Sequence, residues 1–142
     1  MDVKTLEVYS LIEEGKYRGI SKKFFPKWEG WTFNGEEKDI AVNKFYMTYF
    51  YYPLKLDYIG DDVLEKLVLN FATLQGKKKA ISKLQKACGQ DMTGHPTAAL
   101  MTYAGENLEE VLYKYILEII EFYDFISKPK DSLWALNTFR HL

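Results

Sequence analysis

With a single cysteine, Cys88, the chain has no second thiol for an internal disulfide, so noncovalent packing must hold it together. Cys88 stands between Ala87 and Gly89 near an expected helix end, where it reads as a small semi-buried residue rather than a reactive thiol. Histidine is nearly as scarce. His95 and His141 have no companion at ligand spacing, so no metal site is expected. No apolar run approaches the ~18 residues of a membrane span, so no membrane association is expected. Neither sign of charge dominates: 19 basic residues face 20 acidic ones, for a formal charge of -1. The densest basic run, Lys77-Lys78-Lys79, reads as a solvated face, and nucleic acid is not an expected partner. The N-terminal Met1-Asp2-Val3-Lys4 is not followed by a leader-like apolar stretch, so the expectation is cytoplasmic synthesis without a signal peptide. Gly15 and Gly19 are not followed by G-K-[ST], and Ser10 and Ser21 lack a nucleophile-elbow context, so neither a phosphate loop nor a serine nucleophile is indicated. No cofactor is expected.

What the chain does have is apolar and aromatic mass. Of its 142 residues, 47% are hydrophobic and 16% aromatic, with 11 Tyr and 9 Phe. That suffices for one globular domain over 1–142, with a filled core and some tyrosine left at the surface.

The helical period dominates. Leu6, Val8, Tyr9, Leu11 and Ile12 form a stripe that ends at Gly15. Residues 16–35 carry Gly19, Pro26, Gly30 and Gly35 and read as a structured loop with room for a short hairpin. Asn34 with Glu37 resembles a capping box opening a helix through Ile40, Phe45, Tyr49 and Phe50 to Pro53. Asp62 with Glu65 repeats that pattern before Val63, Leu64, Leu67, Val68 and Phe71, and Gly76 ends the run. Ala80, Ile81, Leu84 and Ala87 mark a further helix ending at Gly89. Thr97–Tyr103 follows, with Pro96 near its first turn. Asn107 and Glu110 begin the longest helix, striped by Leu108, Val111, Leu112, Tyr115, Ile119, Phe122 and Ile126 and stopped by Pro129. A last short helix surrounds Trp134. The expected fold is all-α, with about seven helices.

The stretch Tyr17-Arg-Gly-Ile-Ser-Lys-Lys23, followed by Pro26-Lys-Trp-Glu-Gly-Trp31, is the densest in conformationally restrictive residues. It resembles the Y-K-G-I-x-R-K and P-x-W-x-G-W motifs of the phage-type muramidases of glycoside hydrolase family 108 and their attached peptidoglycan-binding region. Phe45 to Asp57 is similar to F-Y-x-x-x-F-W-x-P-L-x-L-D. Gly76, Ala80, Leu84 and Gln85 fit G-x-x-x-A-x-x-x-L-Q, and Asp91 to Thr97 is a worn D-G-x-x-G-x-x-T turn. The matches are collinear over nearly the whole chain. The resemblance implies a lysozyme-like helical domain, with Glu14 as the catalytic acid and Tyr17, Trp28 and Trp31 at a substrate-binding cleft.

The departures touch the implied reaction centre. The family's E-G-G-Y becomes Glu14-Gly15-Lys16-Tyr17, and its N-D-P-x-D-x-G-G-x-T loop is missing before Arg18-Gly19-Ile20. D-x-A-V-N-x-G becomes Asn70 to Gly76, with Asn70 for the aspartate and Leu74 for the asparagine. Glycoside hydrolysis needs a protonated acid and usually a second carboxylate. Lys16 beside Glu14 opposes protonation, and Glu13, Glu29, Asp57 and Asp91 have no spacing that marks a partner. The expectation is a degenerate, phage-derived muramidase-like protein with lost or weakened glycosidase activity. Its role would be structural or binding, with peptidoglycan or a protein as partner through an aromatic-rich surface, in a phage particle or delivered to the cell wall. The alternative is an active peptidoglycan hydrolase using Glu14 as general acid. A third reading is a regulator that binds a true lysozyme or another protein through its tyrosine-rich face, with a stable homo- or hetero-oligomer as its mark.

Overall fold

In a computed structural model, residues 15–127 are described. The expected first helix, with Glu14 at its end, and the last helix around Trp134 lie outside them. Five α-helices and one two-stranded hairpin are present among the described residues. The fold is mostly helical, as the periodicity predicts.

The hairpin pairs β1 (Lys16–Tyr17) with β2 (Ile20–Ser21). A 3-10 turn at Glu29–Thr32 leads into α1 (Gly35–Tyr46). Asn34 occupies the position before α1, but its side chain makes no capping bond. The helix instead starts with Glu36 and Glu37, whose charges suit its amino end. α1 buries Ala41, Val42, Phe45 and Tyr46. Ile40, placed on the inner face by sequence pattern, is 62% exposed. The chain then widens into a π-helical turn, Met47–Tyr51, just short of Pro53. Widening shifts the facing of side chains. Tyr51 turns inward, while Tyr49 and Tyr52 remain outside.

α2 (Asp62–Gln75) is capped by Asp61, whose carboxylate accepts the Leu64 amide at 3.0 Å. Asp62 was the expected cap. It instead lies inside the first turn, pairing with Lys66, and Glu65 points inward rather than back to a cap. Gly76 separates α2 from α3 (Lys77–Ala87), and its φ of 107° is readily adopted only by glycine. Thr97 caps α4 (Ala98–Glu106) through the Leu100 amide. Asn107 uses its side-chain amide on the carboxyl end of α4, donating to the Tyr103 carbonyl, rather than only opening α5 (Leu108–Ser127).

α2, α3 and α5 pack together around Leu64, Val68, Leu69, Phe71, Ile81, Leu84 and Tyr115. α4 crosses the 3-10 turn Leu56–Tyr58 so closely that Gly105 touches the Ile59 backbone. Glu118 joins α5 to α3 by ion pairs with Lys83 at 3.5 Å and Lys86 at 3.2 Å. Of the expected α5 stripe, Val111 and Tyr115 are buried and Leu108, Leu112, Ile119 and Phe122 pack on the core, whereas Ile126 is exposed. Cys88 is buried beneath this arrangement. No described helix is long and apolar enough to cross a membrane.

Candidate functional site: an aromatic groove at Trp28

The hairpin turn is two residues long, Arg18 and Gly19, with φ of 47° and 84°. Both signs are what a primed turn requires to match strand twist. Arg18 has a side chain and pays a steric cost there, so its neighbours must hold it. Its Nε lies 3.2 Å from Asp39 Oδ1, and its carbonyl accepts the Tyr46 hydroxyl at 2.5 Å. Asp39 also accepts the Tyr17 hydroxyl at 2.9 Å, so one carboxylate on α1 anchors both β1 and the turn.

Behind the hairpin, the Trp28 ring lies directly over Gly30. A Cβ at residue 30 would come within 2.1 Å of Trp28 Cζ2, which is why glycine fits between the two tryptophans. Trp31 is fixed by its indole nitrogen donating to the Phe25 carbonyl at 2.7 Å. The Trp28 and Trp31 rings meet edge to face at 5.0 Å, and Tyr17 stacks toward Trp28 at 6.3 Å with planes 27° apart. The three aromatic residues named from sequence, Tyr17, Trp28 and Trp31, are therefore brought together. All are half-buried.

Two open, adjoining grooves of about 270 Å³ each run along Trp28. They share Lys27, Trp28, Phe45 and Tyr49. One extends to Phe24, Phe25 and Pro26, the other to Glu29, Lys44 and Thr48. Phe25, Phe45 and Tyr49 were not named as site residues from sequence. Phe45 and Tyr49 stand one turn apart on the same side of the helix, which places both opposite Trp28. Their spacing was readable, but it looks the same as core spacing.

Among the residues lining these grooves, Glu29 is the one carboxylate, exposed and 3.4 Å from Lys44. Asp57 and Asp91 are exposed on other segments and line neither groove, and Asn70 and Leu74 on α2 do not line them either. Asn70 Oδ1 is buried with no donor among the described residues, and Leu74 is 46% exposed. Lys16 is exposed on β1. Glu14 lies outside the described residues, so its position relative to the groove is not described.

A second polar arrangement sits inside the molecule. Tyr51 donates to Glu65 Oε1 at 2.5 Å, and both are buried. Burial first, and then the bond to Glu65, hold the Tyr51 phenol well above its ordinary pKa. This pair joins the π-helical turn to α2 and lines neither groove. No group of three or more metal-ligating side chains occurs among the described residues.

No family model, curated protein or solved structure matches the chain.

Proposed function

We propose that this chain is a muramidase-like protein with a lysozyme-like helical scaffold, phage-derived, whose glycosidase chemistry is lost or weakened. Its remaining work is binding, with the glycan of peptidoglycan as ligand at the Trp28 groove. The protein acts as a component of a phage particle or another assembly that meets the cell wall.

The observation that supports this reading best is the composition of the groove. The half-buried Trp28 and the exposed Tyr49 offer apolar ring faces of the kind on which pyranose rings stack, over a floor that includes the buried Phe45, while the one lining carboxylate is exposed and ion-paired. Hydrolysis needs two carboxyl groups set about 5 to 9.5 Å apart across the scissile bond, one of them kept protonated. The two-residue turn at Arg18-Gly19 agrees with a scaffold lacking the loop that the muramidase resemblance leads one to expect at that place.

The experiment is co-sedimentation with purified cell-wall sacculi, run beside a turbidity assay on the same suspension. The expected result is sedimentation with the wall, its loss in Trp28→Ala, and no clearing. Clearing that disappears in Glu14→Gln would instead establish the active hydrolase. Failure to sediment with sacculi would remove the binding role.

A further inference from the structure

α5 is apolar on two sides, and only one of them meets the core. Val111 and Tyr115, with Leu108 and Phe122 beside them, face inward. On the opposite side Tyr113, Ile116, Leu117 and Ile120 are exposed, Tyr113 by 66% and Ile120 by 53%. Their spacing of three, four and seven places makes one seam along about two turns of the helix. A helix at a protein's surface ordinarily presents charge on that side. α3 does so with Lys78, Lys79 and Lys86. Among the described residues, α1, α2 and α4 expose isolated apolar side chains, such as Ile40 and Val63, and none forms a row. The two borders of the α5 seam differ from each other. One carries Glu110, Lys114 and Glu121, all exposed; the other carries Leu112, Ile119 and Tyr123, all half-buried. Lys114 pairs with Glu110, whereas Glu121 makes no ion pair among the described residues.

We infer that this seam is the interface of a homodimer, in which α5 packs antiparallel on α5 of a second copy. A two-fold axis between Ile116 and Leu117 sets Tyr113 against the partner's Ile120, and Ile116 against the partner's Leu117. Such a two-fold brings like borders together. Lys114 then stands about 3 Å along the axis from the partner's Glu121, the acid with no ion pair in its own chain. The apolar borders meet each other in the same way. A parallel pair would lay the charged border against Leu112, Ile119 and Tyr123 and leave Glu121 without a cation. A membrane surface fits the seam poorly. Interfacial helices border their apolar face with lysine and arginine, and this one is bordered mainly by acids. At each end of the seam Glu109 faces the partner's Asp124, so like charges bound the overlap and keep the association modest. No seam residue lines the Trp28 grooves, so the dimer and the glycan-binding reading stand or fall separately. Pairing at α5 nevertheless places two such grooves in one particle, as avidity for a polymeric ligand requires.

The test is sedimentation velocity on the full chain over a micromolar-to-millimolar concentration series. A monomer–dimer equilibrium is expected, with a Kd on the order of 10 μM, as befits a small interface. Ile120→Lys is expected to remain monomeric. Its urea midpoint, read at concentrations where the parent is also monomeric, should not change, because the side chain it replaces is exposed. Cysteine cross-linking reads the register. Leu117→Cys, close to the two-fold, is expected to oxidise to a covalent dimer. Tyr113→Cys lies about 10 Å along the axis from its own copy and should not, but should cross-link when mixed with Ile120→Cys. Cys88 is buried and does not compete. A parent chain that stays monomeric throughout the series would overturn the inference. A urea midpoint lowered by Ile120→Lys would do the same, by showing the seam covered from within its own chain. A dimer that survives Ile120→Lys would place the interface elsewhere, and Tyr113→Cys joining to itself as fast as Leu117→Cys would overturn the antiparallel register.

Discussion

The Tyr46 hydroxyl of α1 donates to the carbonyl of Arg18 across 2.5 Å, and so ties the core helix to a turn residue held at a φ of 47°. The left-handed conformation of an arginine persists only because its surroundings over-determine it. Tyr46 is itself 1% exposed, and Tyr46→Phe keeps the buried ring while removing the hydroxyl that makes this bond. The expected cost is about 1 to 2 kcal/mol, because the Arg18 carbonyl loses a part-buried donor. Urea unfolding checks it, and the slope of the transition should not change. The same variant should loosen the hairpin, seen as faster amide exchange at Ile20 and Ser21.

Two buried phenols predict how the protein responds to alkali. Tyr115 is fully buried, with desolvation the main cause of its raised pKa, and Tyr51 is raised by burial and then by Glu65. In the unfolded chain a tyrosine loses its proton near pH 10, whereas in the folded chain these two keep theirs. Above about pH 10 the unfolded state therefore binds fewer protons, and stability falls as pH rises, by up to about 1.4 kcal/mol per pH unit for each phenol. Below that pH the contribution is fully present. Tyr115→Phe is expected to flatten the alkaline limb at little cost near neutrality, since its bond to the Ala80 carbonyl is long at 3.3 Å. Tyr51→Phe flattens it too, but also costs about 1 to 3 kcal/mol at neutral pH by leaving Glu65 buried without its donor. Denaturant midpoints measured from pH 7 to pH 11 distinguish the two.

The helices were legible because each rests on a local signal: glycines 76 and 89, Pro53, Thr97 after Pro96, and runs such as Ala80, Ile81, Leu84 and Ala87, all four of them buried. Caps were less legible. Acids one residue apart look alike in sequence, and the α2 cap is Asp61, with Glu65 drawn inward by a tyrosine fourteen residues away. The aromatic site was half legible. Trp28 and Trp31 stood out through the run of glycine, proline and tryptophan and its likeness to a muramidase motif, whereas the steric reason for Gly30 appears only with the Trp28 ring seen over it. Asp39 could not be found that way, since its partners lie across the hairpin and no periodicity links residue 17 to residue 39. The π-helical turn was also out of reach, because one extra residue per turn leaves no mark in composition.

Cys88 should behave as an inert thiol. It is buried, and that burial pushes its pKa up to about 11, with only weak opposition from Lys114. The thiolate is the reactive form, so near pH 8 the folded protein should react with a disulfide reagent roughly 100-fold more slowly than the unfolded chain. Progress curves with and without denaturant measure the ratio. Rapid labelling of the folded protein would place Cys88 in an opening segment instead.

Gly30 and Gly105 both lack room for a side chain, yet the two predict different phenotypes. At Gly105 the obstructing atom is the Ile59 carbonyl oxygen, 2.0 Å from where a Cβ would stand, so the backbone of α4 or of the turn must shift. Gly105→Ala is therefore expected to lose about 3 kcal/mol, at the upper end of overpacking costs, and to do so without touching the groove. At Gly30 the obstruction is the Trp28 ring, 2.1 Å away, which can swing outward on its side-chain torsions. Gly30→Ala should cost less, about 1 to 2 kcal/mol, while altering tryptophan emission and displacing the groove wall. Denaturation and fluorescence on the two variants separate the cases: a large stability loss with native emission for residue 105, and a smaller loss with shifted emission for residue 30. If Gly30→Ala leaves both emission and wall binding unchanged, Trp28 does not depend on its glycine seat and the ring is not the fixed wall of the groove.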